Sequence, residues 1–221
     1  MIMAVLFDLG GTLIKTAAVP EIMKRILHAY KIQKPLSEIT LACKEVDNQL
    51  TLEDYTLSYD EFWTEWNMRI LRRLQIDGNL KPLAEAITER WWDYADVRLY
   101  PDVKVTLRGL RSKGFKLGLV SNGFIRDIDE VFRRTGLTGI FDVAVGVDIV
   151  KKPKPNREIF LYALEKIKVS PSEALFVGDN LEMDYEGARK AGLNVLLIDR
   201  DNKVKGMVKK ISSLMEITLY L

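Results

Sequence analysis

Asp8, Asp179, Asp184, Ser121 and Lys152 are the residues of this sequence whose types and positions allow joint chemistry. Asp8 ends the apolar run Ala4-Val5-Leu6-Phe7, and Asp179 ends Ala174-Leu175-Phe176-Val177-Gly178. Ser121 closes Leu117-Gly118-Leu119-Val120, Lys152 lies just past Phe141–Val147, and Asp184 follows Asp179 by five residues. Grouped carboxylates bind hard divalent cations, and Mg²⁺ takes one or two of them while keeping positions for water and a substrate phosphate. An ammonium offers compact positive charge to phosphate oxygens. Backbone N–H groups in the Gly10-Gly11-Thr12 turn and after Ser121 complete a nest for an anion. The chemistry implied is phosphoryl transfer. No histidine or cysteine adjoins these strand ends, so Asp8 is the natural nucleophile, forming an aspartyl-phosphate that water hydrolyses.

The elements that position these residues can be read from the same sequence. Short apolar runs bounded by glycine and polar residues read as buried strands. Beyond Tyr100 such runs, ending with Asn194–Ile198, alternate with helical patterns, which predicts a parallel sheet covered by helices. Right-handed crossovers then place every strand's carboxyl end on one edge, where open α/β sheets bind ligands. Taken alone, Asp8 reads equally well as a turn cap; the convergence of four strand ends decides for chemistry. Helices are expected from Pro101 to Lys113, from Ile125 to Thr135, after an Asn156 cap, from about Met183, and finally from Val208 to Met215. Ser121 is expected to cap the helix after it as well as to bind phosphate. Prolines hold Lys151-Lys152-Pro153-Lys154-Pro155 as an extended loop, with Lys151 and Lys154 read as solvated charges.

Residues 16–99 differ in character. Four amphipathic patterns, around Ile22–Tyr30, Ser37–Leu50, Tyr59–Leu74 and Leu83–Tyr94, predict a small helical bundle set between the first strand and the rest. Trp63, Trp66, Trp91 and Trp92 read as bundle core. Glu61, Glu65, Glu85 and Glu89 read as a solvated helix face. The domain reading is therefore 1–15 with 100–221 as an α/β core carrying the site, and 16–99 as a helical domain.

Composition excludes several classes. A single histidine, His28, removes a multi-histidine zinc site and a histidine-based triad. A single cysteine, Cys43, removes a disulfide framework and fits a reducing compartment. The net charge of +2, from 33 basic and 31 acidic residues, gives no electrostatic case for nucleic acid. No apolar run has the length of a membrane span, and no basic leader precedes Asp8, so a cytoplasmic protein is expected.

Four segments, in order, resemble the motifs of the haloacid dehalogenase (HAD) superfamily of hydrolases. Phe7-Asp8-Leu9-Gly10-Gly11-Thr12 is similar to the first motif with its nucleophilic aspartate, and Ser121-Asn122 to the second, which binds phosphate. Lys152 before Glu158-Ile159-Phe160 is similar to the third, and Gly178-Asp179 through Asp184 to the acidic fourth. The resemblance implies a doubly wound, Rossmann-like parallel-sheet core with an inserted helical-bundle cap that selects substrate. It implies Mg²⁺ held by Asp8, the Gly10 carbonyl, Asp179 and Asp184, and a small phosphorylated metabolite contacted by Ser121, Asn122, Lys152 and Thr12. Phosphatases of the family usually carry a second aspartate, a general acid and base, where this chain has Gly10. Its carbon–halogen hydrolases also lack that residue, so a metal-independent 2-haloacid dehalogenase is the alternative, but they generally lack the aspartate matched by Asp179. A phosphate-binding protein with weak catalysis is the third reading.

Overall fold

The computed structural model describes residues 1–221 and falls into two compact units, Met1–Lys15 with Arg98–Leu221, and Thr16–Val97. In the first unit the strands are β1 (Ala4–Phe7), β2 (Ile14–Lys15), β3 (Arg98–Leu99), β4 (Lys116–Val120), β5 (Val143–Val145), β6 (Ala174–Gly178), β7 (Asn194–Ile198) and β8 (Lys210–Ile211). Six of them make one parallel sheet in the order β5-β4-β1-β6-β7-β8. The other two, β2 and β3, form an antiparallel ribbon pairing Ile14 with Leu99 and Lys15 with Arg98. β1 is central and wholly buried, as an uninterrupted apolar strand must be when both sheet faces are covered.

Successive side chains of a strand point to opposite faces. Ala4 and Leu6 of β1 join Phe176, Val120 and Val145 in a core with Ile159, Phe160, Ala163 and Leu164 of α8 (Arg157–Ile167). Phe160 meets Phe176 edge-on at 5.0 Å between ring centres, which seats that helix on the sheet. Val5 and Phe7 are equally buried toward the opposite face. Outside the Phe160 cluster, α5 (Val103–Ser112) buries Leu107 and Leu110, and α6 (Ile125–Thr135) buries Ile128 and Val131. This is the expected doubly wound α/β architecture.

Several local expectations are corrected. The final helix expected over Val208–Met215 is instead β8, whose backbone extends the sheet beyond β7 in the register Ile198 to Ile211. Ser213 then caps a helical turn at Leu214–Tyr220, with Glu216 accepting from the Ser212 and Ser213 N–H groups. The segment expected as a helix from Met183 opens as a wide turn, Leu181–Glu186, before the short α9 (Gly187–Lys190). Strand β5 is shorter than Phe141–Val147, because the chain turns at Gly146 into the short α7 (Val147–Val150). Ser121 does not cap α6. Asp148 Oδ1 accepts from Ile125 N at 2.9 Å instead. Asn156 precedes α8, but its amide donates back to Pro153 O and leaves the helix uncapped.

In the second unit α1 (Val19–Ala29), α2 (Leu36–Asp47), α3 (Tyr59–Arg73) and α4 (Leu80–Tyr94) share one core that includes Ile22, Ile26, Val46, Trp66, Ile70 and Ile87. Ser58 and Glu61 cap α3 reciprocally, through Glu61 N to Ser58 Oγ and Ser58 N to Glu61 Oε2. Trp66 packs edge-on to Trp63 at 5.5 Å and to Trp91 at 6.1 Å, and its indole N–H donates to Asp47 Oδ1 at 2.9 Å. Trp92 also packs against this core, so the tryptophans are structural. Glu65 is spent on Arg69 and Arg72, and Glu85 on Lys81.

Candidate active site

Register places the candidate groups at one end of the sheet. Phe7 pairs with Leu119 on one side and Val177 on the other, so Asp8 is level with Val120 and Gly178. Ser121 and Asp179 therefore sit one step further along the same edge. Asp8 N donates to Val177 O at 2.9 Å, carrying the β1–β6 ladder up to the carboxylate itself.

The turn after Asp8 is held by Leu13 N and Ile14 N, both donating to Leu9 O, and by Gly11 N donating to Ile14 O. Gly11 has φ +74° and packs directly on the Asp179 carboxylate, so a Cβ there would collide with it. Gly178 serves Asp184 in the same way: its missing Cβ leaves the room that the Asp184 carboxylate fills. Asp184 reaches that place through the wide turn, in which Tyr185 N as well as Asp184 N donates to Asn180 O. A π-type turn of this kind is common at functional sites. Asn180 N donates to Asp184 Oδ2 at 3.0 Å, and Asn180 Oδ1 accepts from Glu182 N and Met183 N.

Asp8, Asp179 and Asp184 each present an oxygen, and these oxygens lie within 4.8 Å of one another. The cation among them is Lys154. Its Nζ lies 2.6 Å from Asp8 Oδ1 and 2.6 Å from Asp184 Oδ1, and the residue is only 3% exposed. Lys152, expected in this place, is an exposed residue paired with Glu158 at 2.9 Å. The physical reason is Asn122. Its Oδ1 accepts from Lys154 N at 2.7 Å and its Nδ2 donates to Lys154 O at 3.2 Å, fixing the lysine's backbone against the end of β4. An irregular loop has no side-chain period to say which lysine points inward. The available signal was proximity to α8: Lys154 stands two residues before Asn156, close to the helix that Phe160 anchors, and its ammonium lies 5.6 Å above the Phe176 ring.

Two other residues are expected on phosphate. The Asn122 amide bonds the Lys154 backbone through its oxygen and one of its two Nδ2 hydrogens. Thr12, also expected on phosphate, is fully buried with its hydroxyl shielded from solvent, and its carbonyl accepts from Arg200 Nη2 at 2.8 Å. Ser121 is 7% exposed and its Oγ accepts from Gly123 N at 3.0 Å, which leaves its O–H free to donate. Gly10 is exposed, with nothing within 4 Å of where a Cβ would stand.

The electrostatics follow from three carboxylates facing one ammonium. Burial pushes the Asp8 carboxyl up to about 7; the Lys154 ammonium pulls against this, and Asp184 and Asp179 add to it. Asp179 is raised by burial and by Asp184. Burial alone would lower Lys154, but Asp8 and Asp184 outweigh it and hold the ammonium charged. The uncompensated negative charge and the all-oxygen donor set suit a hard divalent cation held by Asp8, Asp179 and Asp184.

The model of haloacid dehalogenase-like hydrolases matches residues 2–192. A glyceraldehyde 3-phosphate phosphatase of Methanopyrus kandleri is 33% identical, over 90% of this chain and 85% of its own. The structure of a HAD phosphatase from Thermococcus onnurineus superimposes with a TM-score of 0.68 at 29% identity, covering 99% of this chain and 97% of that one. The fold is also similar to that of a 2-haloacid dehalogenase from Pseudomonas syringae pv. Tomato, with a TM-score of 0.75 at 24% identity over 99% and 97% of the two chains.

Proposed function

The chain belongs to the haloacid dehalogenase-like hydrolase family, and from that membership we propose that it is a Mg²⁺-dependent phosphohydrolase acting on a small phosphorylated metabolite. The observation that carries this reading is the acidic cluster, in which Asp179 joins Asp8 and Asp184, because the carbon–halogen hydrolases of the family generally lack the aspartate matched by Asp179. The relatives named as phosphatases support it.

Lys154 holds Asp8 Oδ1, leaving Oδ2 as the attacking oxygen. A bond forms between Asp8 Oδ2 and phosphorus as the bond from phosphorus to the leaving oxygen breaks. Water then attacks the aspartyl-phosphate and releases inorganic phosphate and free Asp8. Lys154 and the Ser121 hydroxyl stabilise the charge on the transferring phosphoryl oxygens, and Asn122 keeps Lys154 in place. Asp8, Asp179, Asp184 and the Gly10 carbonyl would hold Mg²⁺, which when bound supplies charge neutralisation for the phosphate. No side chain at position 10 protonates the leaving group, so substrates whose leaving group departs without a proton, such as acyl phosphates, are favoured. The helical unit 16–97 is assigned to substrate selection.

The test is phosphate release from p-nitrophenyl phosphate with and without Mg²⁺, beside halide release from L-2-chloropropionate, with Asp8→Asn as control. Magnesium-dependent phosphate release that vanishes in the control is expected. Metal-independent halide release would replace this reading with the dehalogenase that Gly10 also allows. Magnesium binding with no turnover on a broad phosphate panel would leave only a phosphate-binding protein.

A further inference from the structure

Arg200, immediately beyond β7 and Asp199, is a residue that the proposed reaction does not use, yet its contacts converge on the catalytic turn. Its Nη1 and Nη2 form a bidentate pair with Asp102 at 3.0 and 3.1 Å. The remaining Nη2 hydrogen goes to the Thr12 carbonyl at 2.8 Å. The guanidinium carbon lies 3.7 Å from the centre of the Tyr100 ring, and both members of the pair are largely withdrawn from solvent. Asp102 is itself fixed by the Ser213 hydroxyl and the Leu214 N–H, at 2.9 and 2.8 Å.

From this geometry we infer that Arg200 is a positioning residue: it fixes the Asp8–Leu13 turn by holding the Thr12 carbonyl against the Tyr100–Asp102 segment. A second tie runs in parallel, from Tyr100 N to Leu13 O at 3.1 Å. Together they lash the turn to the root of the β2–β3 ribbon. The turn's placement matters because Gly11 lies directly on Asp179 and Asp8 leads into the same turn, so a shift would disturb nucleophile and acidic cluster at once. A lysine cannot substitute. One ammonium offers neither two parallel bonds to a carboxylate nor a flat face for the ring while also reaching a carbonyl.

The inference rests on the proposed phosphohydrolase for its kinetic readout, and a second readout is independent of it. In Arg200→Lys, kcat for p-nitrophenyl phosphate with Mg²⁺ should fall tenfold or more with KM changed less than threefold, since misplacement of about 1 Å costs on the order of 10²-fold in rate. Amide hydrogen exchange across residues 9–14, measured without substrate or metal, should quicken in the same variant while exchange in β4 and β6 is unchanged. A merely structural role would instead speed exchange throughout the sheet and lower the melting temperature, with kcat per folded molecule preserved. Tyr100→Leu, which removes the ring and keeps every hydrogen bond of Arg200, should give a smaller effect of the same pattern. That variant carries the test if Arg200→Lys does not fold. Unchanged exchange at residues 9–14, or unchanged kcat, would overturn the inference. A wild-type protein that releases no phosphate would instead defeat the functional reading and leave the exchange comparison to decide the role of Arg200.

Discussion

Replacing Lys154 by Met, beside the same change at Lys152, separates two lysines that the sequence presents as near equivalents. Lys154 is buried and makes ion pairs of 2.6 Å to both Asp8 and Asp184. Methionine keeps the volume of the stem and removes the charge, leaving two buried carboxylates facing each other with Asp179 nearby. Removing one partner of a buried pair costs about 3–5 kcal/mol. For a chain of this size each kcal/mol lowers the melting temperature by roughly 2–4 °C, so a fall of about 6–20 °C is expected in metal-free buffer. Loss of a preorganised positive group at the reacting centre should also lower kcat by about 10²–10³-fold. Lys152 pairs with Glu158 through side chains 46% and 43% exposed, a kind of contact worth at most about 1 kcal/mol. Lys152→Met should therefore melt within about 2–4 °C of the wild type and keep its activity. Differential scanning calorimetry and steady-state phosphate release on both variants measure this. Full activity in Lys154→Met with loss in Lys152→Met would refute the assignment of the site lysine.

Further outcomes follow from other contacts. Gly10→Asp places a carboxyl two residues after the nucleophile at a position where a Cβ meets nothing, so the variant should fold. It should raise hydrolysis of unactivated phosphate monoesters by up to about 10²-fold, the lower end of what a positioned acid supplies; an unchanged rate would mean that the proton already comes from elsewhere. Gly178→Ala drives a methyl into the Asp184 carboxylate and should abolish activity while circular dichroism retains the α/β signal. Asp102 is subject to burial that raises its pKa, but Arg200, Leu214 and Ser213 prevail and hold it below the usual carboxylate value. Its contribution to stability is therefore present above about pH 4 and lost as pH falls through the lowered value. Asp102→Asn should cost roughly 3 kcal/mol at neutral pH and flatten the acid limb of stability against pH, read by urea titrations between pH 2 and 7.

The sequence by itself determined the class of fold and all three carboxylates of the cluster. Apolar runs of strand length ending in Asp8, Ser121 and Asp179 required a parallel sheet, and a parallel sheet required those ends to share an edge. The four helical stripes between residues 16 and 99 were equally legible, because burial on a helix has a period that survives in one dimension. The tertiary structure decided what has no period. Lys154 rather than Lys152 enters the cluster because Asn122, thirty-two residues away, grips its backbone. Lys210–Ile211 is a strand because β7 offers an open edge, though its local pattern resembles a helix. Arg200 reaches Thr12 and Asp102 across 188 and 98 residues of chain. A guanidinium's partners depend on which strand ends are neighbours, and that adjacency exists only once the sheet has formed.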